Sequence, residues 1–303
     1  MNEMVTILVS AGGASERMLR TCLECIEQHK SDIVTHRVMV VVPHYQSSIA
    51  SSVAQDMHVE LSVCHVDSDN LSGSRVHAAV LDKAIKFVNT HYVLTLDADC
   101  FPADDKWLDA LMAPMGGGAK VTGILHPYAP PPESLPKTGL EYRIRSQLCW
   151  NNTHVACQLV SLDTLKRLGV GYSDGDDTGL AIPIKAREMG IEVAGLMPTR
   201  CAAPEGSNFM SRLEFNRDTC VLFGDMVYHH GGGSREEQGK GSPEDVWASI
   251  REKVLREGPE CLLEERIHKY EFDREEEVAD RMVSRIMRGM QIYLQTNDRA
   301  FEE

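Results

Sequence analysis

Residues 92–99 read Tyr92-Val93-Leu94-Thr95-Leu96-Asp97-Ala98-Asp99, a short apolar run that ends in two carboxylates one residue apart. Such a run predicts a buried strand. Side chains alternate faces along a strand, so Asp97 and Asp99 can share one face while Ala98 takes the other. In an open α/β sheet the ligand crevice lies outside the carboxyl ends of the strands. Hard carboxylate oxygens placed there suit Mg²⁺ or Mn²⁺, whose coordination is usually completed by substrate phosphates. Taken alone, an Asp-x-Asp more often caps a helix or opens a turn, which Cys100-Phe101-Pro102 would favour. The rest of the chain decides between these readings.

Working outward, strands alternate with helices throughout the first half. Val5–Ser10, Arg37–Val42 and Val59–Val66 read as strands; Glu16–Gln28, Ser47–Gln55 and Arg75–Val88 have helical patterning. That rhythm predicts parallel pairing in a doubly wound sheet. The second half loses it. Gly116-Gly117-Gly118 and Pro130-Pro131-Pro132 read as loops around a strand at Lys120–Leu125. Short helices are expected at Asp163–Leu168 and at Leu180–Met189, the latter interrupted near Pro183. Residues 243–303 are charged and helix-like, with apolar positions such as Ile250, Val254, Leu255 and Met282 that could dock on the body or on a second copy.

The 303 residues are 43% hydrophobic and 25% charged, an ordinary globular balance with a formal net charge of −14. That charge disfavours nucleic acid as a partner, because nucleic-acid binding needs a basic footprint. An anionic substrate must then be met by local cations or a metal. Without a long apolar run or a signal-peptide pattern, a cytoplasmic protein with no membrane span is expected. The nine cysteines are scattered. Cys22 and Cys25 form a C-x-x-C in the middle of a helical pattern, whereas a redox pair normally opens its helix, so they read as core thiols.

Three further segments bear on chemistry. Asp69-Asn70-Leu71-Ser72-Gly73-Ser74-Arg75 is a polar turn leading into a helix, a setting that suits phosphates but equally makes a plain cap. Ser173-Asp174-Gly175-Asp176-Asp177-Thr178-Gly179 crowds carboxylates before an apolar helix; crowding raises carboxyl pKa values and favours a general base near neutral pH. Val227-Tyr228-His229-His230-Gly231-Gly232-Gly233-Ser234-Arg235 places histidines at a strand end before a glycine loop and a cation. Such a histidine can ligate metal, and the loop can close over a diphosphate. Adjacent histidines are more often mere surface.

The order of these segments resembles the family 2 glycosyltransferases of the GT-A fold, over roughly residues 4–235. The resemblance implies a Rossmann-like, mostly parallel mixed sheet flanked by helices, with a helical C-terminal extension. It implies a GT-A domain over 1–242, its nucleotide-binding half about 1–102 and its acceptor half about 103–242, followed by the extension at 243–303. Ser10 and Ala11 at the end of the first strand, Gly73, Arg75, Asp97 and Arg235 would then bind the donor. Asp99 and His229, with Asp97, would hold Mn²⁺ or Mg²⁺, with His230 as the alternative one register on. Asp177 would be the base, with Asp176 and Asp174 as its alternatives. The implied reaction is inverting transfer from a nucleotide-diphosphate sugar, a UDP-sugar above all, to an acceptor hydroxyl. Trp150 could stack on a sugar face. The extension could form a homodimer. Where the family ends its second strand in an acidic pair, this chain has Pro43-His44-Tyr45.

Two other readings compete. Ala11-Gly12-Gly13-Ala14-Ser15-Glu16-Arg17-Met18 is similar to the opening of sugar-nucleotide nucleotidyltransferases, but no proline–lysine pair follows near Leu19–Lys30. A catalytically silent module that only binds sugar nucleotides would not need metal, base and histidine candidates together.

Overall fold

The computed structural model describes residues 4–67, 71, 73–127, 150–175, 177–201, 220–231, 248–263 and 268–269. The chain divides into two compact units, Met1–His126 with Asn152–Lys269, and Pro127–Asn151 with Tyr270–Glu303. Nearly all described residues belong to the first.

Its centre is a six-stranded sheet in the order β3-β2-β1-β4-β7-β6. The strands are β1 (Met4–Ser10), β2 (Thr35–Pro43), β3 (Glu60–Cys64), β4 (Tyr92–Asp97), β6 (Val121–Pro127) and β7 (Trp150–Ser161). β3, β2, β1 and β4 run parallel, and β7 is antiparallel to β4. Val5, Ile7, Leu8 and Val9 of β1 are all fully buried, as expected for a strand covered on both faces. The buried hydroxyl of Thr6 is paired with Thr90 Oγ1 at 2.8 Å and accepts from Arg37 Nε at 2.9 Å, so its burial leaves no polar group unsatisfied.

Helices α1 (Glu16–Gln28), α2 (Ser47–Asp56) and α3 (Ser74–Ala84) make the parallel crossovers. Ser15 caps α1 by accepting from Met18 N at 3.1 Å, and Met18, Leu19, Cys22, Leu23, Cys25 and Ile26 form its buried stripe. Cys22 and Cys25 are thus core thiols, both free. Burial, ahead of any nearby charge, pushes the Cys25 thiol up to about 12.

A second sheet, antiparallel throughout, runs β11-β8-β9-β10-β5. Its strands are β5 (Cys100–Pro102), β8 (Pro198–Cys201), β9 (Val221–Phe223), β10 (Val227–His229) and β11 (His268–Lys269). β5 follows β4 after a two-residue turn, so Ala98 and Asp99 are the corner between the two sheets.

Several expectations need correction. Gly116 and Gly117 are not loop residues: they end α4 (Trp107–Gly117). Burying Trp107, Leu108, Leu111, Met112 and Met115 outweighs the poor helix propensity of glycine. Pro183 does not interrupt its helix. It lies in the first turn of α6 (Ala181–Glu188), after α5 (Leu162–Leu168), where a missing N–H costs little. β7 went unread from the sequence. At Gly123 of β6 a Cβ would stand 2.2 Å from Cys157 O of β7, so only glycine permits this approach.

The C-terminal region is not wholly helical, since His268–Lys269 pairs with β8. Its described helix α7 (Ala248–Glu257) packs beside α1. Glu252 pairs with Arg17 at 2.9 Å, and Glu260 meets Gln28 and His29 at 3.1 and 2.6 Å. Residues 270–303 lie outside the described residues. Among those described, no helix is long and apolar enough to cross a membrane.

Candidate active site

The site forms where the parallel strands end. β1 and β4 lie in register with Ser10 beside Asp97, and Ala98 N donates to Ser10 O at 3.0 Å. Ala11 continues the ladder by donating from its N–H to Val41 O at 3.0 Å. Ser10 and Ala11 therefore stand beside Asp97 and Ala98 at the carboxyl ends of the parallel strands.

The turn at Ala98 sends the two carboxylates to different histidines. Asp97 Oδ1 lies 3.2 Å from Nε2 of His77, on α3, in side chains only 23% and 21% exposed. Neither facing atom has a well-directed hydrogen bond, so this is a charge contact rather than a hydrogen bond. Burial opposes the charge on Asp97, but His77, helped by His154 and His229, outweighs it and holds the carboxyl below its usual range. His77 is likewise opposed by burial, yet Asp97 first, then Asp99 and Asp177, raise it.

Asp99 Oδ1 lies 3.8 Å from His229 Nε2, with both side chains largely buried. The second sheet makes this meeting: β10 pairs His229 with Cys100, and His230 N donates to Asp99 O at 2.8 Å. Ligands about 2.1 Å from one ion stand roughly 3–4 Å apart, so this oxygen and nitrogen fit a shared divalent cation. Among the described residues, no group of three or more His, Cys, Asp or Glu stands ready for a metal. Two protein ligands would leave the remaining positions of such a cation to water or phosphate oxygens.

His230, the next residue, has different neighbours. Burial, then Arg251 and His229, push its imidazole down to about 3. It packs as a neutral ring against Phe101 and Tyr228, with Nδ1 3.3 Å from Tyr228 Oη.

Asp177 arrives from the loop after α5. Asp82 of α3 accepts from Tyr172 N at 2.7 Å and Ser173 N at 3.0 Å, and Thr178 Oγ1 donates to Ser74 O at 2.7 Å. Both ends of the loop are thereby tied to α3, with Asp177 exposed between them. Arg75 is exposed in the first turn of α3, and Gly73 at its N-cap has φ 53°, a backbone conformation that favours glycine. Asp176, Asp69, Asn70 and Arg235 lie outside the described residues. Of Trp150 the backbone alone is described, opening β7.

Sequence reasoning missed His77 and His154. The His154 ring lies 5.5 Å from that of His229, centroid to centroid. Leu96 pairs with Cys157, so β7 carries His154 beyond the end of β4. A histidine in the first turn of the helix that opens at Gly73 was the available signal for His77. Nothing local marks His154.

At the ends of β2 and β3, the ring of His44 stacks on that of His65 (4.9 Å, 26°) and meets Tyr45 edge-on. This exposed aromatic group follows β2, at the Pro43-His44-Tyr45 departure already noted in the sequence.

No family model matches this chain, and no curated protein does. Solved structures do show likeness. One is 4-diphosphocytidyl-2C-methyl-D-erythritol synthase from Anaerococcus prevotii, with 9% identity, 64% of this chain and 89% of that one covered, and a TM-score of 0.47. Another is glucosyl-3-phosphoglycerate synthase from Mycobacterium tuberculosis, solved with Mn²⁺, UDP and phosphoglyceric acid, with 11% identity, 64% and 68% covered, and a TM-score of 0.44. A third is a mannosyltransferase from Pyrobaculum calidifontis in complex with GDP-Man and Mn²⁺, with 13% identity, 87% and 72% covered, and a TM-score of 0.45.

Proposed function

We propose that the chain is a metal-dependent, inverting glycosyltransferase of the GT-A type, moving a sugar from a nucleotide-diphosphate sugar to an acceptor hydroxyl. The observation that supports it most is the meeting of Asp99 with His229, 3.8 Å apart although distant in sequence, next to Asp97 at the end of β4. A nucleotidyltransferase reading leaves the Asp177 loop without a task.

Asp99 and His229 would hold the cation, which, when bound, supplies positive charge to the departing diphosphate. His77 fixes the Asp97 carboxylate at the donor side. Asp177 takes the proton of the acceptor hydroxyl, whose oxygen attacks the anomeric carbon opposite the leaving group. The bond to the diphosphate breaks, and its electron pair leaves with the diphosphate. His44 and Tyr45 offer ring faces to the base. The donor is a UDP-sugar, the protein is cytoplasmic, and the C-terminal extension makes a dimer contact.

A panel of sugar nucleotides, assayed for hydrolysis and transfer with and without Mn²⁺ or Mg²⁺, tests this. Metal-stimulated release of nucleoside diphosphate, lost in Asp99→Asn and His229→Ala, is expected. Release of pyrophosphate from a nucleoside triphosphate and a sugar phosphate, with sugar nucleotides left intact, would replace it with nucleotidyl transfer.

A further inference from the structure

The turn that follows His229 is held by a side chain of the C-terminal helix. β10 stops at His229, and backbone bonds hold the next residue at both ends: His230 N donates to Asp99 O at 2.8 Å, and Cys220 N donates to His230 O at 3.2 Å. Gly231 lies beyond the ladder, buried, with φ 65°. A buried carbonyl needs a donor. Arg251 of α7 supplies it, from Nη2 at 2.9 Å.

Arg251 departs from the pattern of its helix. Glu252 beside it is exposed, whereas Arg251 is only 7% exposed, and taking a guanidinium out of water is costly unless its donors find acceptors. Its charge lies against the turn: after burial, Arg251 is the largest influence lowering the His230 imidazole. α7 is seated by contacts away from this turn. Val254 and Leu262 are buried, Glu252 pairs with Arg17 of α1, and Glu260 meets His29 at the end of α1. α1 in turn backs the corner at Asp99, where Cys22 Sγ donates to Cys100 O at 3.5 Å. The two candidate metal residues are therefore supported by two helices that are themselves joined, α1 at Asp99 and α7 at His229.

We propose that docking of α7 and binding of the divalent cation are coupled, with Arg251 as the positioning residue that holds the His229 turn ready for the ion. The C-terminal segment thereby regulates the site: the cation binds tightly only while α7 is docked. This rests on the reading of Asp99 and His229 as metal ligands. The coupling is reciprocal, so the factor that docking adds to metal affinity is the factor that metal adds to docking.

Two measurements on the full chain test this without turnover. Water-proton relaxation enhancement, which rises when Mn²⁺ is held on the slowly tumbling protein, gives the affinity for Mn²⁺ in the presence of UDP. Arg251→Met, which keeps a long side chain but no donor, should weaken Mn²⁺ binding about tenfold or more, the loss of one charge-assisted hydrogen bond. Glu252→Gln, which breaks only the exposed pair with Arg17, should leave it unchanged. Hydrogen exchange of the wild-type chain should be slower at Ala248–Glu257 with UDP and Mn²⁺ than with UDP alone, a result that needs no variant to fold. Equal Mn²⁺ affinity in wild type and in an Arg251→Met protein that has only lost heat stability makes the arginine purely structural and overturns the proposal. Unchanged exchange in α7 under saturating Mn²⁺ overturns it too. A wild-type chain that binds no Mn²⁺, with or without UDP, overturns the metal reading itself and the coupling with it.

Discussion

His77 Nε2 stands 3.2 Å from Asp97 Oδ1, joining the first turn of α3 to the end of β4 across the mouth of the sheet. The pair couples the helix to which the Asp177 loop is tied to the strand that ends in Asp97. It also sets the charge of both groups. Asp97 is held below its ordinary value of 3.8 and His77 above its ordinary 6.5, each against the opposing effect of burial.

The sign of the pH dependence follows. A lowered carboxyl stabilises the fold above its unfolded value, and that stability is lost as pH falls through the folded value. A raised imidazole stabilises it below its unfolded value, and that stability is lost as pH rises through the folded value. The contact therefore contributes fully between 3.8 and 6.5. His77→Gln is predicted to lower the melting temperature most within that window and progressively less at alkaline pH. A melting difference that grew toward alkaline pH would reject the pairing.

Asp177→Asn is predicted to reduce transfer by roughly 10²–10⁴-fold, the usual loss for a general base, while donor binding persists. Single-turnover transfer and equilibrium binding of the nucleotide separate the two effects. Near-normal transfer would pass the role to Asp174 or Asp176.

Asp82 is predicted to position the Asp177 loop. Removing a carboxylate that accepts from two backbone N–H groups should cost about 1.5–3 kcal/mol in Asp82→Ala. Gly171→Ala should act on the same tether, because a Cβ there would stand 2.6 Å from Asp82 Oδ1. Both variants should also raise the KM for acceptor more than that for donor. Equal effects on the two KM values would show a general loss of structure instead.

The C-terminal segment is predicted to stabilise the body. Arg251 is buried and donates to Gly231 O at 2.9 Å, and Val254 and Leu262 are buried beside it. Truncation after Ser242 should lower the unfolding temperature. Light scattering on the same protein reports whether 243–303 also sets the oligomeric mass. An unchanged transition would make the segment a bystander.

Much of the parallel half was legible because its signals are local. Apolar runs of strand length alternate with amphipathic helices, and burial of Val5–Val9 or of the Met18–Ile26 stripe needs no knowledge of distant residues. Asp97 and Asp99 were legible for the same reason, since they terminate such a run. The second sheet was not. Its strands β5, β9 and β10 are three residues each, too short for periodicity to register, and they exist through pairing with partners far along the chain.

The site divides along the same line. By itself the sequence determined which residue types stand at the strand ends, at the start of α3 and in the acidic loop. The tertiary structure alone decided that Asp97 faces His77 while Asp99 faces His229, because the turn at Ala98 passes the chain from one sheet to the other. It alone brought His154 to His229 and set Arg75 and Asp177 around one cavity. Those contacts depend on strand register and on a loop tethered by Asp82, and such long-range pairings leave no local periodicity to read.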